Sequence, residues 1–306
     1  MVIKRRRLLF AVGCALMALL AGCGNAPAPA PAAPSPSASA PDFTVPGAAQ
    51  TMVSQLLADT GSSRALQIKI TQRTVEVTTL ERDQPVTWAY RSGATSQVAS
   101  DLQYVDQATF DVGRFNISDV GALFRAAAGQ SGSAADQTLT IVDPSGGDVV
   151  MSVSTEPESR TVFFNDDGSL TPILDFNTES GVARGLADAI GSRMLIYSVS
   201  VVSTQNVSAE FSGANSTTVR RTRAAKVPPV TTVRSTADLR PFTASRVSAT
   251  AIWRVVSQVR SADGLAPNSA WSVTIDNRDK LAAPRMYFTF GFKVVVADLD
   301  GQLISQ

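Results

Sequence analysis

The sequence predicts an α+β fold of four helix-plus-three-strand units, each of about 66 residues, paired into two similar domains whose helices pack on antiparallel sheets. Three observations predict it. Phenylalanines ahead of expected helices recur at Phe43, Phe110, Phe176 and Phe242, spaced 67, 66 and 66 residues apart. Each is followed by an apolar stripe at helical spacing that stops near a glycine, and then by β-rich runs. The third run begins about 43 residues after its phenylalanine in the first and third units, and about 51 after it in the second and fourth. This alternation of short and long units points to duplication of a pair, with domains at 42–174 and 175–306. A lone unit of this size buries a modest fraction of its surface and would be marginal alone, which favours pairing.

In the first unit Pro46 suits an opening helical turn. Ala49, Met52, Val53, Leu56 and Leu57 form the stripe, and Gly61 ends it. β-rich runs follow at 66–70, 74–80 and 86–90. The second unit has a cap at Ser118, a stripe through Val120, Leu123, Phe124 and Ala127, and a stop at Gly129. Its runs lie at 138–142, 149–154 and 161–164. The third carries Val182, Ala183, Leu186, Ala189 and Ile190 before Gly191, then runs at 194–202, 207–211 and 217–221. The fourth has a cap at Ser248, then Ile252, Val255, Val256 and Val259 before Gly264, with runs at 271–275, 285–290 and 293–297. Alternation in Val75-Glu76-Val77-Thr78 and in Val207-Ser208-Ala209-Glu210-Phe211 predicts sheets with one wetted face.

Ahead of these units the chain has a different character. Met1–Arg7 is basic, residues 8–20 are apolar, and Ala21-Gly22-Cys23 follows. A basic start, a short apolar run and small residues mark a secretory signal, and 13 apolar residues are too few to span a bilayer comfortably. Leu20-Ala21-Gly22-Cys23 resembles the lipobox of bacterial lipoproteins. That resemblance implies removal of residues 1–22, with cleavage between Gly22 and Cys23, and a lipid on Cys23. Gly24 stands where an aspartate commonly retains such proteins at the inner membrane, so the resemblance implies the outer membrane in a host that has one. Residues 24–41 are rich in proline and alanine, and read as an extended tether reaching about 55 Å at about 3.1 Å per residue.

Composition narrows the chemistry. Loss of residues 1–22 would remove Lys4, Arg5, Arg6 and Arg7 and no acid, so 27 basic groups become 23 against 26 acidic ones, a net charge near −3. That balance argues against nucleic acid, whose binding needs clustered cations. Of the two cysteines, Cys14 leaves with the signal and Cys23 is acylated, so no disulfide is expected. The chain has no histidine, which excludes Ser-His-Asp and Cys-His catalysis and histidine-ligated zinc. A Ser-Lys site would have to use Lys69, Lys226, Lys280 or Lys293, and neither a Ser-x-x-Lys motif nor a G-x-S-x-G elbow occurs. No catalytic residues, cofactor or metal are expected.

Three groups of residues invite a functional reading. Arg220, Arg221, Arg223 and Lys226 form a basic cluster with no acid close in sequence. It would either meet anionic headgroups or a wall polymer, or keep a strand edge soluble. Asp166-Asp167-Gly168 and Asp298-Leu299-Asp300-Gly301 read as hairpin turns rather than calcium loops, because neither has the twelve-residue loop with its terminal glutamate. Trp88, Tyr90, Trp253, Trp271, Tyr287, Phe288, Phe290 and Phe292 crowd the first and fourth units. Core packing is their ordinary use, and a cleft for an acyl chain is the alternative. Finally, the run from Val294 to Leu303 and its counterpart from Phe163 to Leu170, each a strand, an acidic turn and a strand, resemble the close of PepSY-type envelope modules. That resemblance implies binding or inhibition rather than catalysis. The expectation is a membrane-anchored envelope lipoprotein, facing periplasm or exterior, that binds a protein or cell-wall partner. The alternative is a carrier or sensor of a hydrophobic ligand.

Overall fold

A computed structural model describes residues 41–103, 107–144, 147–234 and 239–304. The first half runs α1 (Ala48–Thr60), β1 (Arg64–Ala65), β2 (Gln67–Ile70), β3 (Val75–Glu81), β4 (Gln84–Arg91) and β5 (Ala94–Val98). It continues with β6 (Phe110–Asp111), α2 (Val120–Ser131), β7 (Thr138–Val142), β8 (Val150–Ser154) and β9 (Thr161–Phe164). The second half repeats that order. Its elements are α3 (Glu179–Ile190), β10 (Leu195–Ile196), β11 (Ser198–Val202), β12 (Asn206–Ser212), β13 (Thr218–Ala224), β14 (Val230–Arg234) and β15 (Phe242–Thr243). They end with α4 (Ala249–Asp263), β16 (Ser272–Asp276), β17 (Arg285–Phe290) and β18 (Lys293–Ala297).

Two seven-stranded sheets result, ordered β5-β4-β3-β2-β7-β8-β9 and β14-β13-β12-β11-β16-β17-β18, and every neighbouring pair is antiparallel. The protein is therefore α+β, with two similar halves of two helices and one sheet each. Each sheet is a joint product of two units, because its central pair (β2 with β7, β11 with β16) takes one strand from each. A two-residue ladder, β1 with β6 or β10 with β15, ties the units together a second time.

The strands pair because their apolar residues alternate, and the helices cover the apolar face. Val75 and Val77 of β3 lie opposite Tyr90 and Trp88 of β4, on the side where Val53 and Leu56 of α1 are buried. The four periodic phenylalanines are all core: Phe43 and Phe110 in the first half, Phe176 and Phe242 in the second. The two cores share no residue. In α3, Gly185 is needed for close approach, since a Cβ there would come within 2.7 Å of both the Phe176 ring and Val207 of β12.

Three local features differ from the sequence reading. Strands β5 and β14 are not predicted by the sequence, because Ala94-Thr95-Ser96-Gln97-Val98 and Val230-Thr231-Thr232-Val233-Arg234 lack apolar alternation and bury none of their residues. Helix α2 is capped by Asp119, whose carboxylate accepts from the Ala122 amide at 2.8 Å, and not by Ser118, whose hydroxyl donates to Asn116. The helix also continues through the exposed Gly129 and ends at Gly132, which supplies the left-handed conformation (φ 72°).

Candidate functional site

The four basic residues singled out in sequence do not gather on the surface. Strand alternation and pairing separate them. Arg220 lies opposite Glu210 of β12, and its Nε donates to that carboxylate at 2.8 Å. Arg221 lies on the other face, with a guanidinium nitrogen 3.4 Å from Asp148 of the first half. Arg223 is buried, with its side chain 1% exposed. Its Nε donates to Asp188 of α3 at 2.9 Å, and its terminal nitrogens donate to the carbonyls of Ala224, Val227 (2.5 Å) and Pro172 (2.6 Å). Lys226 alone is exposed. The basic cluster is thus corrected: the acids that neutralise three of its members come from remote sequence positions, and Arg223 is not a surface residue. Gly22 and Cys23 lie outside the described residues.

Arg221 instead helps to line a concavity of about 480 Å³ where the halves meet. Arg114, Asp148, Asp166, Asp167, Pro228 and Pro229 line it too. Arg114, Arg221, Asp148 and Asp166 are already matched within the chain. Arg114 Nε donates to Asp166 at 2.5 Å, and Asp148 accepts from the Thr231 hydroxyl as well as facing Arg221. The Asp167 carboxyl is held below the usual carboxylate range by the hydroxyl and then the amide of Ser169. A larger concavity, about 790 Å³, lies beside α2, and Phe124 is the only large apolar side chain in its lining. Of the two turns weighed as calcium loops, each has a glycine at positive φ, Gly168 at 86° and Gly301 at 80°. The Asp298 carboxylate accepts from the amides of Asp300 and Gln302, so its oxygens close the turn. Among the described residues no group of three or more acidic side chains is arranged to hold a metal.

The aromatic residues of the fourth unit pack on one another. Trp253 meets Trp271 edge-on at 6.4 Å, Trp271 lies 6.4 Å from Phe288, and Phe288 stacks on Phe290 at 6.0 Å. Tyr287 and Phe288 do point oppositely. Phe288 is fully buried, whereas Tyr287 lies on the polar outer face beneath the Arg278 guanidinium, 4.2 Å from its ring. Burial, with a hydrogen bond to Asp279, pushes the Tyr287 hydroxyl up to about 12. Two lysines considered for a Ser-Lys site are engaged elsewhere, Lys69 with Asp101 and Lys293 with Asp263.

No protein-family model and no curated protein sequence matches the chain. Two crystal structures of the DNA polymerase sliding clamp from Pseudomonas aeruginosa, one with a ligand, overlap it at 10% identity and TM-scores of 0.15 and 0.13. Each alignment covers 80% of this chain, which spans only 57% of the clamp. At those scores the overlap carries no structural argument.

Sequence reasoning missed a polar row across the outer face of the second sheet. Consecutive strands place Arg220, Glu210, Ser198, Asp276 and Arg285 side by side. Ser198 donates to Glu210 at 3.1 Å, and Arg278 grips Asp276 through two nitrogens at 2.8 and 2.7 Å. Only the register assembles this row, and the pairing of Ser198 with Asp276, 78 residues away, leaves no local signal in the sequence.

Proposed function

We propose that the chain is a lipid-anchored protein of the bacterial cell envelope whose folded part binds a protein or cell-wall component and performs no reaction. The observation that carries the anchor is Leu20-Ala21-Gly22-Cys23 after a basic and then an apolar run. Binding rather than catalysis is supported by the absence of histidine and by lysines engaged in ion pairs. The implication of the resemblance to PepSY-type modules runs the same way. Binding rather than lipid carriage is supported by aromatic strands packed into a core and by concavities lined largely with polar and paired side chains.

Native mass spectrometry of the protein, expressed in bacteria as the full chain and released gently from membranes, tests this. The expected mass is that of a chain starting at Cys23 and carrying acyl groups, alone or in complex with another protein. A chain that keeps residues 1–22 overturns the anchor. An additional lipid, bound beyond the acyl groups, overturns the binding role in favour of a carrier.

A further inference from the structure

The two halves share one architecture but differ at one end, and that end of the second half has an unusual surface. It comprises the β17–β18 turn, the loop 264–270 after α4, and the β11–β12 turn. Asp263 holds Lys293 at 2.6 Å, joining the helix end to the hairpin, and the Trp271 amide donates to Ser203 at 3.0 Å, joining the loop to the other turn. Residues 203–205, 264–270 and 291–292 carry no charge. At the hairpin tip, after Gly291 (φ 58°), stands Phe292, fully exposed at 107%, followed on the same strand by Val294 at 59%.

A tip residue in a two-residue hairpin is ordinarily polar. The β3–β4 turn of this chain obeys that, with Arg82 and Asp83. The corresponding end of the first half is charged: Arg73 lies in its first turn, Asp136 follows α2, and Glu156, Glu158 and Arg160 lie between β8 and β9. An aromatic ring left in water gives up the stabilisation that its burial would bring. One projecting ring beside three uncharged turns, with the exposed Lys226 in the adjoining β13–β14 turn, matches the interfacial zone of a bilayer, where aromatic side chains are stable beside headgroups.

We propose that this end of the second half contacts the membrane and that Phe292 enters its interfacial zone. The inference rests on the anchor reading, since acylated Cys23 and the 18 residues from 24 to 41 would keep a bilayer within about 55 Å of the fold. The anchor then supplies most of the affinity, and Phe292 sets which end faces the lipid.

The acylated chain has no free thiol, so Val294→Cys, with Phe292 kept, gives a single site for an environment-sensitive dye. The labelled full-length product is reconstituted in phosphatidylcholine vesicles after its mass is checked. Emission is expected to shift to the blue and to fall at least about twofold with lipids brominated near the headgroup, given an interfacial depth of about 5–10 Å. The same dye at Asp83→Cys is expected to report water. An unacylated mass overturns the anchor and this inference together. An acylated protein whose dye at 294 reports water overturns this inference alone. The same holds if the thiol is shielded from reagent in cells but not in vesicles, which assigns the tip to a protein partner.

Discussion

Arg223 is a cation at 1% exposure, and a guanidinium at that depth is tolerated only when its N–H groups find acceptors. Here they reach α3, the turn after β13 and the Pro172 carbonyl in the segment joining the halves. Arg223→Met would leave those carbonyls without donors, while Asp188 keeps Arg184 at 3.0 Å. Denaturant unfolding is expected to show a loss of about 3 kcal/mol. Arg223→Lys should also destabilise, because one ammonium cannot span the same acceptors. Tyr287 yields a pH prediction. Its folded pKa of about 12 lies above the unfolded value, so the stabilising contribution is full below about pH 10 and is lost as pH rises through 12. Phenolate absorbance should show a late-titrating step, and Tyr287→Phe should abolish it.

At the scale of elements, the sequence was most readable where a stripe and a cap coincide. Helix α4 begins after Ser248 and ends at Gly264 as expected, and β7, β9, β17 and β18 match the β-rich runs residue for residue. Apolar periodicity reports the buried face directly, and these elements each have one. Strands β5 and β14 leave no such signal, because none of their residues is buried, whereas β9 and β18, also at sheet edges, bury apolar side chains. The end of α2 was misread because two glycines compete, and only the position of the last packed turn decides between them. The cap was misread because Ser118 and Asp119 are both good caps in isolation. Asp119→Ala is therefore expected to cost about 1 kcal/mol in thermal or denaturant unfolding, and Ser118→Ala clearly less. The candidate site was less legible still. Four cations within seven residues read as a cluster, yet Glu210 meets Arg220 through the β12–β13 register, and Asp148 and Asp188 reach Arg221 and Arg223 only through tertiary packing.

For the molecule as a whole, separate cores imply separable halves. The first sheet is complete by β9, and none of its core residues lies beyond Phe164. A chain of residues 42–170 is expected to fold alone, read as near-ultraviolet circular dichroism with a cooperative melt. Among the described residues it would forgo the junction contacts of Asp148 with Arg221 and Thr231 and the bond from the Thr171 amide to the Phe163 carbonyl. A fragment without fixed aromatic signals would show that the junction is essential.

The central pairing of each sheet also sets a timetable. Ile68 of β2 meets Ile141 of β7, so the middle of the first sheet waits on a partner 73 residues downstream. Contacts at such separation form slowly because a long loop must close first. A chain that emerges amino end first, from a ribosome or through a translocation channel, has no finished sheet until β7 is free. Until then β2 presents an open edge. The helices, being local, can form in the interval and shield the apolar side of that edge while it waits.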